Sequence, residues 1–225
     1  MILVGCPVSR REWILDRWFE AAERALTGLD HAYSFVSSRD DTADHALINA
    51  RQDTTLVLID EPQREDVRDW DKTSRLHHMV VVRNTLLAAA RHQAPDFFLS
   101  CDSDILLHPD SVRRMLKVYS DHDRAWAVGR KAYMTPRGKS HPNYGLWLPG
   151  QQNFSRPDSE GVSKVGILMA VKMMDHRAYG VDYQFHPKGE DLGWSQAVTQ
   201  AGGHMWWDGG VLNRHVMSPS YLEET

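Results

Sequence analysis

The sequence predicts an α/β domain built on a mixed, mostly parallel central sheet with helices on both faces, and three observations lead there. Short apolar runs alternate with segments of helical periodicity through the first 130 residues, the pattern of a helix-covered parallel sheet. At 225 residues, the chain is the size of one large domain. Its composition, 42% hydrophobic and 25% charged, suits a chain that buries a core and excludes collagen-like and disordered classes.

Ile2 to Val8 is a continuous apolar and β-branched run and reads as the first strand. Trp13, Ile14, Arg17, Trp18, Ala21, Ala22, Ala25 and Leu26 then recur at helical spacing, with Gly28 as the stop. Ala32 to Val36 reads as a short strand, Ser37 to Asp44 as a polar loop and Thr54 to Ile59 as a third strand. Asp60 to Asp71, acidic and proline-bearing, reads as a solvated loop. Leu76, Met79, Val80, Arg83, Asn84, Leu86, Leu87 and Ala90 share one broad face of a helix that ends before Pro95. Asp96 to Ser100 is an apolar strand running into Cys101-Asp102-Ser103-Asp104, and Pro109 stands at the expected first position of the next helix.

Ala125 to Val128 makes another strand, after which Arg130 to Lys164 is punctuated by prolines and glycines with Tyr144, Trp147 and Phe154 between them. A loop region this long in a compact domain is usually functional or disordered, and the aromatics argue against disorder. Val165 to Val171 resumes as a buried strand, Glu190 to Ala201 as a helix closed by Gly202 and Gly203, and His204 to Trp207 and Gly210 to His215 as short extended pieces.

Lys and Arg total 26 against 30 Asp and Glu, a net charge of −4. That balance gives no general attraction to nucleic acid or anionic lipid. No apolar run reaches the roughly 18 to 20 residues that span a bilayer, and the most hydrophobic stretch, Val165 to Met174, is broken by Lys172. The N-terminus is apolar first and basic afterwards, the reverse of a secretory signal. With only Cys6 and Cys101, the chain has no disulfide framework, and a reducing cytoplasm is the expected compartment. Phosphate-loop, dinucleotide-fingerprint, zincin, hydrolase-elbow and Cys-x-x-Cys motifs do not occur.

Chemistry concentrates where strands end, because ligands of such sheets bind at the carboxyl edge. Two carboxylates one residue apart can share a hard divalent cation. With 21 Asp in the chain, chance gives about two Asp-x-Asp triplets, so the three at Asp69, Asp102 and Asp121 must be told apart by context. Only the one at Asp102 terminates an apolar strand, where its carboxylates need a cation or hydrogen-bond donors. Glu190 and Asp191 open a helix after Gly189, a position that the helix dipole alone favours for acids. His215 stands near the end of the chain.

The order of these pieces resembles the GT-A glycosyltransferases of the family 2 type, nucleotide-sugar-dependent enzymes of Rossmann-like fold. An apolar strand enters Asp-x-Asp; Gly-Glu-Asp opens a later helix; Gly-Gly, Trp-Trp-Asp and a histidine follow. Val4 to Val8 is similar to the first strand and nucleotide loop, and the Arg83-Asn84 pair precedes the Asp-x-Asp strand. The resemblance implies one domain over residues 1–225, with a nucleotide-sugar half at 1–129 and an acceptor half at 130–225.

It implies a hexosyl-type transferase that moves a sugar from a nucleotide-diphosphate donor to a hydroxyl-bearing acceptor: a glycan, lipid, protein, metabolite or modified base. Mn2+ or Mg2+ would be held by Asp102, Asp104 and His215, with Asp102 on the metal or the donor ribose. Pro7, Val8, Ser9, Arg10, Asp40, Arg83, Asn84, Asp102, Ser103 and Asp104 would bind the donor, Arg11 being an alternative to Arg10. Asp191 would be the general base of an inverting transfer, Glu190 would help hold the acceptor, and Trp147 and Trp194 would lie beside it. Two other readings stand beside this one. A nucleotidyltransferase that makes nucleotide sugars would need a Gly-rich, Arg- and Lys-containing N-terminal loop, which is not seen; a sugar- or nucleotide-binding module would need no turnover.

Overall fold

The computed structural model describes residues 1–60, 72–134, 144–145 and 161–222. In chain order these form β1 (Ile2–Val8), α1 (Leu15–Leu26), β2 (His31–Ser38), α2 (Thr42–Asn49), β3 (Thr54–Ile59), α3 (Lys72–Gln93), β4 (Phe97–Cys101) and β5 (Ile105–Leu106). Then follow α4 (Ser111–Asp121), β6 (Ala125–Met134), β7 (Tyr144–Gly145), β8 (Val162–Val165), β9 (Ile167–Leu168), β10 (Val171–Met174), α5 (His176–Tyr179), α6 (Glu190–Gln200) and β11 (His204–His215).

The main sheet runs β3-β2-β1-β4-β10-β6-β11-β5, with β8 also on β11. β3, β2, β1 and β4 are mutually parallel. β10 is antiparallel to both β4 and β6, whereas β11 is parallel to β6. The sheet is therefore mixed α/β, as expected, with its parallel block in the first half of the chain.

Side-chain alternation along β1 divides the core in two. Ile2, Val4, Cys6 and Val8 face α1 and α4, where Trp18, Phe19, Leu26, Val112 and Met115 close one apolar layer. Leu3 faces the other layer, made by α3, α5 and α6 through Val82, Leu86, Ala178, Trp194 and Val198. Gly5 permits the tight β1–β4 seam: a Cβ there would stand 2.2 Å from the Phe98 ring.

Several boundaries differ from expectation. Residues 37–44 are not a single polar loop: β2 extends to Ser38 and α2 starts at Thr42. The two buried residues of α2 are Asp44 and Ile48, so half of its inward face is polar and gives no apolar period. α4 begins at Ser111, so Pro109 precedes the helix rather than opening it. The strand expected over Val165 to Val171 is broken into β8, β9 and β10, and the two last extended pieces are one strand, β11, with its register shifted between Asp208 and Asn213. β6 continues to Met134 inside the expected loop region. The acidic segment at 61–71 and most of the loop region, 135–143 and 146–160, lie outside the described residues. No helix among the described residues is long and apolar enough to cross a membrane.

Candidate active site

The carboxyl ends of β1, β2 and β4 open on a cavity of about 630 Å³. Pro7, Val8, Ser9, Arg10 and Arg11 line it from the β1–α1 loop, Ser37 and Ser38 from the end of β2, and Arg75, Met79 and Val82 from α3. Asp102, Ser103, Asp104 and His215 complete the wall. The loop is held by the buried carboxylate of Asp44, which accepts the Arg11 backbone N–H at 3.0 and 3.2 Å. Arg10 adopts a left-handed backbone, φ 53°, and turns the chain toward α1.

A turn presents the two aspartates. The Ile105 N–H donates to the Asp102 carbonyl at 3.0 Å, and the same carbonyl accepts the Trp18 indole N–H from α1, also at 3.0 Å. The end of β11 lies antiparallel on β5, with His215 opposite Ile105, and the Val216 N–H donates to the Asp104 carbonyl at 2.7 Å. That register carries the His215 imidazole, from the last strand, to Asp104: Nε2 lies 3.2 Å from Oδ1. Arg11 Nη2 holds the other carboxylate oxygen at 3.0 Å.

Asp102 turns instead toward α3, where Arg83 Nη2 lies 2.6 Å from its Oδ1. Arg83 is buried and also donates to Ser100 Oγ at 3.3 Å. Environment pushes the two carboxyls apart. Burial raises the Asp102 pKa against the pull of Arg83. Burial works the same way on Asp104, but the His215 hydrogen bond and the charges of His215 and Arg11 outweigh it and hold Asp104 below the usual carboxylate range.

A second charged group lies behind Arg83. Gly189, φ 143°, precedes α6 in a backbone conformation suited to glycine, and Gly193 lets the preceding loop pack close, since a Cβ there would meet the Gln184 carbonyl at 2.0 Å. Glu190 Oε1 then stands 3.8 Å from Arg83 Nε, and Asp191 Oδ1 2.5 Å from Lys172 Nζ. Lys172 lies on β10, buried on all sides, with its ammonium 5.4 Å from the Tyr183 ring and 5.3 Å from that of Trp194. Its pKa is raised although burial alone would lower it, because Asp191 favours the charged form.

The structure divides the expected metal trio. Among the described residues no group of three or more His, Cys, Asp or Glu side chains is arranged to hold a metal ion. Asp104 and His215 meet, but Asp102 is drawn off by Arg83. The two that meet still fit a hard cation. They offer carboxylate oxygen and imidazole nitrogen, and Mg2+ in phosphate-handling sites is commonly held by one or two carboxylates, with substrate phosphates and water supplying the rest.

Other expected site residues divide. Pro7, Val8, Ser9, Arg10 and Ser103 line the cavity. Asn84 is not among the cavity-lining residues: its Nδ2 donates to the Tyr183 carbonyl at 3.0 Å and its Oδ1 accepts the Tyr183 N–H at 2.7 Å, tying α3 to the segment before α6. Asp40 is exposed in the turn beyond Ser37 and Ser38. Trp194, expected beside an acceptor, is a core residue with no exposed surface, stacked on Tyr183. Trp147 lies outside the described residues.

Sequence reasoning passed over Lys172, Trp18 and Asp44. Lys172 had a readable signal: a lysine inside the most apolar stretch of the chain requires a buried counterion. Trp18 and Asp44 act through backbone atoms distant in sequence and left none.

Among solved structures, a mannosyltransferase from Pyrobaculum calidifontis, determined in complex with GDP-mannose and Mn2+, superposes with a TM-score of 0.58 at 12% identity, over 96% of this chain and 57% of that one. The fold is GT-A-like. The chain thus spans 57% of the length of that mannosyltransferase. The GT-A-like fold is shared with a CMP:2-keto-3-deoxy-manno-octonic acid synthetase complexed with CTP, at TM-score 0.54 and 13% identity over 99% of this chain and 95% of that one. A 4-diphosphocytidyl-2C-methyl-D-erythritol synthase matches at TM-score 0.50 and 11% identity, over 93% and 90% of the two chains. No family model matches the chain, and no curated protein sequence does. Identities this low speak to fold; chemistry has to be argued from the site.

Proposed function

We propose that this chain is a metal-dependent glycosyltransferase that moves a sugar from a nucleotide-diphosphate donor to a hydroxyl-bearing acceptor. The observation that carries the reading is the 3.2 Å approach of His215 to Asp104 at the wall of the strand-end cavity. An imidazole from the last strand joins an acidic turn there, beside a loop bearing two arginines.

A bound Mn2+ or Mg2+ would supply Lewis-acid stabilisation of the departing diphosphate. Asp104 and His215 would hold it. Arg11, which now neutralises Asp104, and Arg10 would face the diphosphate, where bidentate charge-assisted hydrogen bonds are strongest. Asp102, anchored by Arg83, is placed in this reading on the donor ribose. Val36, Ile59, Met79 and Val82 give the same cavity an apolar wall suited to a nucleobase. The acidic pair Glu190 and Asp191 would serve the acceptor side. Both cysteines are buried and free, which suits the cytoplasm.

A second reading, nucleotide-sugar synthesis by nucleotidyl transfer, is favoured by coverage: the two synthetases match along 95% and 90% of their own length. One assay separates the two. Incubation with a panel of nucleotide sugars, with and without Mn2+, should release nucleoside diphosphate only with metal, slowly without acceptor and faster with one. Pyrophosphate release from nucleoside triphosphates and sugar phosphates would establish the second reading instead, and nucleotide binding with neither release would leave a binding module.

A further inference from the structure

We propose that Glu190, rather than Asp191, accepts the proton of the acceptor hydroxyl, and that Lys172 is the positioning residue that takes Asp191 out of that role. The inference rests on the glycosyl-transfer reading above. The step balances as an inverting displacement. The acceptor O–H proton passes to a Glu190 carboxylate oxygen as the acceptor oxygen bonds to the anomeric carbon. The bond from that carbon to the diphosphate breaks, and its electron pair leaves with the diphosphate.

Access does not separate the two carboxylates, since the side chains of Glu190 and Asp191 are 13% and 14% exposed. Their partners do. Lys172 sits on β10 between β4 and β6, with no exposed surface, and its ammonium cannot reach water. Besides Asp191 at 2.5 Å, it has the Met169 carbonyl at 3.3 Å and two aromatic faces. A proton placed on Asp191 would cancel that counterion and leave a buried ammonium uncompensated, the arrangement proteins tolerate least. Asp191 is therefore committed to Lys172 as its counterion.

Among the described residues, Glu190 has no comparable ion pair. Arg83 Nε, a buried donor without a hydrogen-bond partner among the described residues, stands 3.8 Å from its Oε1, beyond hydrogen-bond reach, while the Nη2 end of the same guanidinium lies 2.6 Å from Asp102. The charged groups facing Glu190 are Arg83 from α3, Lys172 from β10 and Asp191 beside it on α6. Burial and then the Asp191 charge raise the Glu190 pKa, which makes it a stronger base than a surface glutamate. The Lys172–Asp191 pair thus occupies Asp191, whose charge in turn raises the basicity of Glu190.

The test compares Glu190→Gln with Asp191→Asn in the full chain, by pH–rate profile and by thermal melting. Glu190→Gln should lose about 100-fold or more in kcat with donor KM little changed, lose the acidic limb of the profile, and melt at or above the wild-type temperature. Asp191→Asn should keep the acidic limb at reduced amplitude and melt well below wild type. Should Asp191→Asn fail to fold, the paired change Lys172→Met with Asp191→Leu removes both charges together and should restore folding with the limb intact. A Glu190→Gln enzyme that keeps its rate and its limb would overturn the proposal, as would loss of the limb in Asp191→Asn at an unchanged melting temperature. A wild-type chain that turns over no nucleotide sugar would overturn glycosyl transfer and the catalytic role of Glu190 with it. The melting comparison then still decides separately whether Asp191 is the counterion of Lys172.

Discussion

Replacing Asp208 by Asn should be among the most damaging single changes in the chain, although the residue lies outside the cavity. Asp208 is enclosed, at 1% exposure, and accepts Arg114 Nε and Nη2 at 2.9 and 3.0 Å and the Gly210 N–H at 2.9 Å. Its second oxygen also meets Arg130, whose side chain is 0% exposed and whose other hydrogen bond goes to the Val211 carbonyl at 2.8 Å. Burial pushes the Arg130 pKa down to about 10, with Asp208 pulling the other way. Without that carboxylate a buried guanidinium loses its only enclosed counterion among the described residues, a change that costs about 3 to 5 kcal/mol. Arg114, at 40% exposure, rehydrates and adds little. At roughly 2 to 4 °C per kcal/mol for a chain of this size, the melting temperature should fall by about 6 to 20 °C. Urea unfolding should show a lower midpoint at an unchanged slope. A loss below about 1 kcal/mol would refute the reasoning, because it would mean that Arg130 finds compensation without Asp208.

Two further outcomes follow from the same geometry. His215→Ala should weaken Mn2+ binding by about tenfold or more in a direct titration, and an unchanged titration would remove the imidazole from the ligand set. Asp104 and Asp208 both have pKa values below the ordinary carboxylate range in the fold, burial being outweighed by His215 and Arg11 in one and by Arg114, the Gly210 N–H and Arg130 in the other. A depressed carboxyl contributes stability that is present above its unfolded pKa, about 4, and lost as pH falls through the folded value. Unfolding free energy should therefore decline as pH drops below about 4, and Asp208→Asn should flatten part of that decline; equal slopes in the two proteins would contradict the assignment.

How much could be read in advance depended on where each residue's partners come from. β1 and β3 were legible to their boundaries: β1 because a strand covered on both faces is a plain apolar run, and β3, a half-exposed edge strand, because its β-branched and apolar residues stand between Asp53 and Asp60. α1 was legible because its buried residues repeat with one period. α2 was not, since Asp44 occupies an inward position that only the backbone of Arg11 explains. In the site, Asp102 and Asp104 announced themselves by ending an apolar strand. Their division of labour did not, because it depends on Arg83 from one side of the sheet and on His215 from a strand more than a hundred residues later. Trp194 misled for a related reason: an aromatic one turn into an acidic helix can point to solvent or to the core, and the buried face of α6 decides. Lys172 could have been questioned from sequence alone, but its answer, Asp191, lies beyond the β10–α6 connection.

β10 runs against both of its neighbours, and this reversal has a consequence for catalyst design. In a purely parallel sheet every strand delivers its last residues to the ligand edge, and whatever leads a strand is carried to the far side. Here the first two residues of β10, Val171 and Lys172, pair with Cys101 and Ser100 at the very end of β4. One inverted segment thus brings a cation at the head of a strand to the level where β4 ends, and there it meets the Asp191 carboxylate at the start of α6. An engineer wishing to move a charge beneath this crevice has an address for it without touching any of the loops that surround the opening.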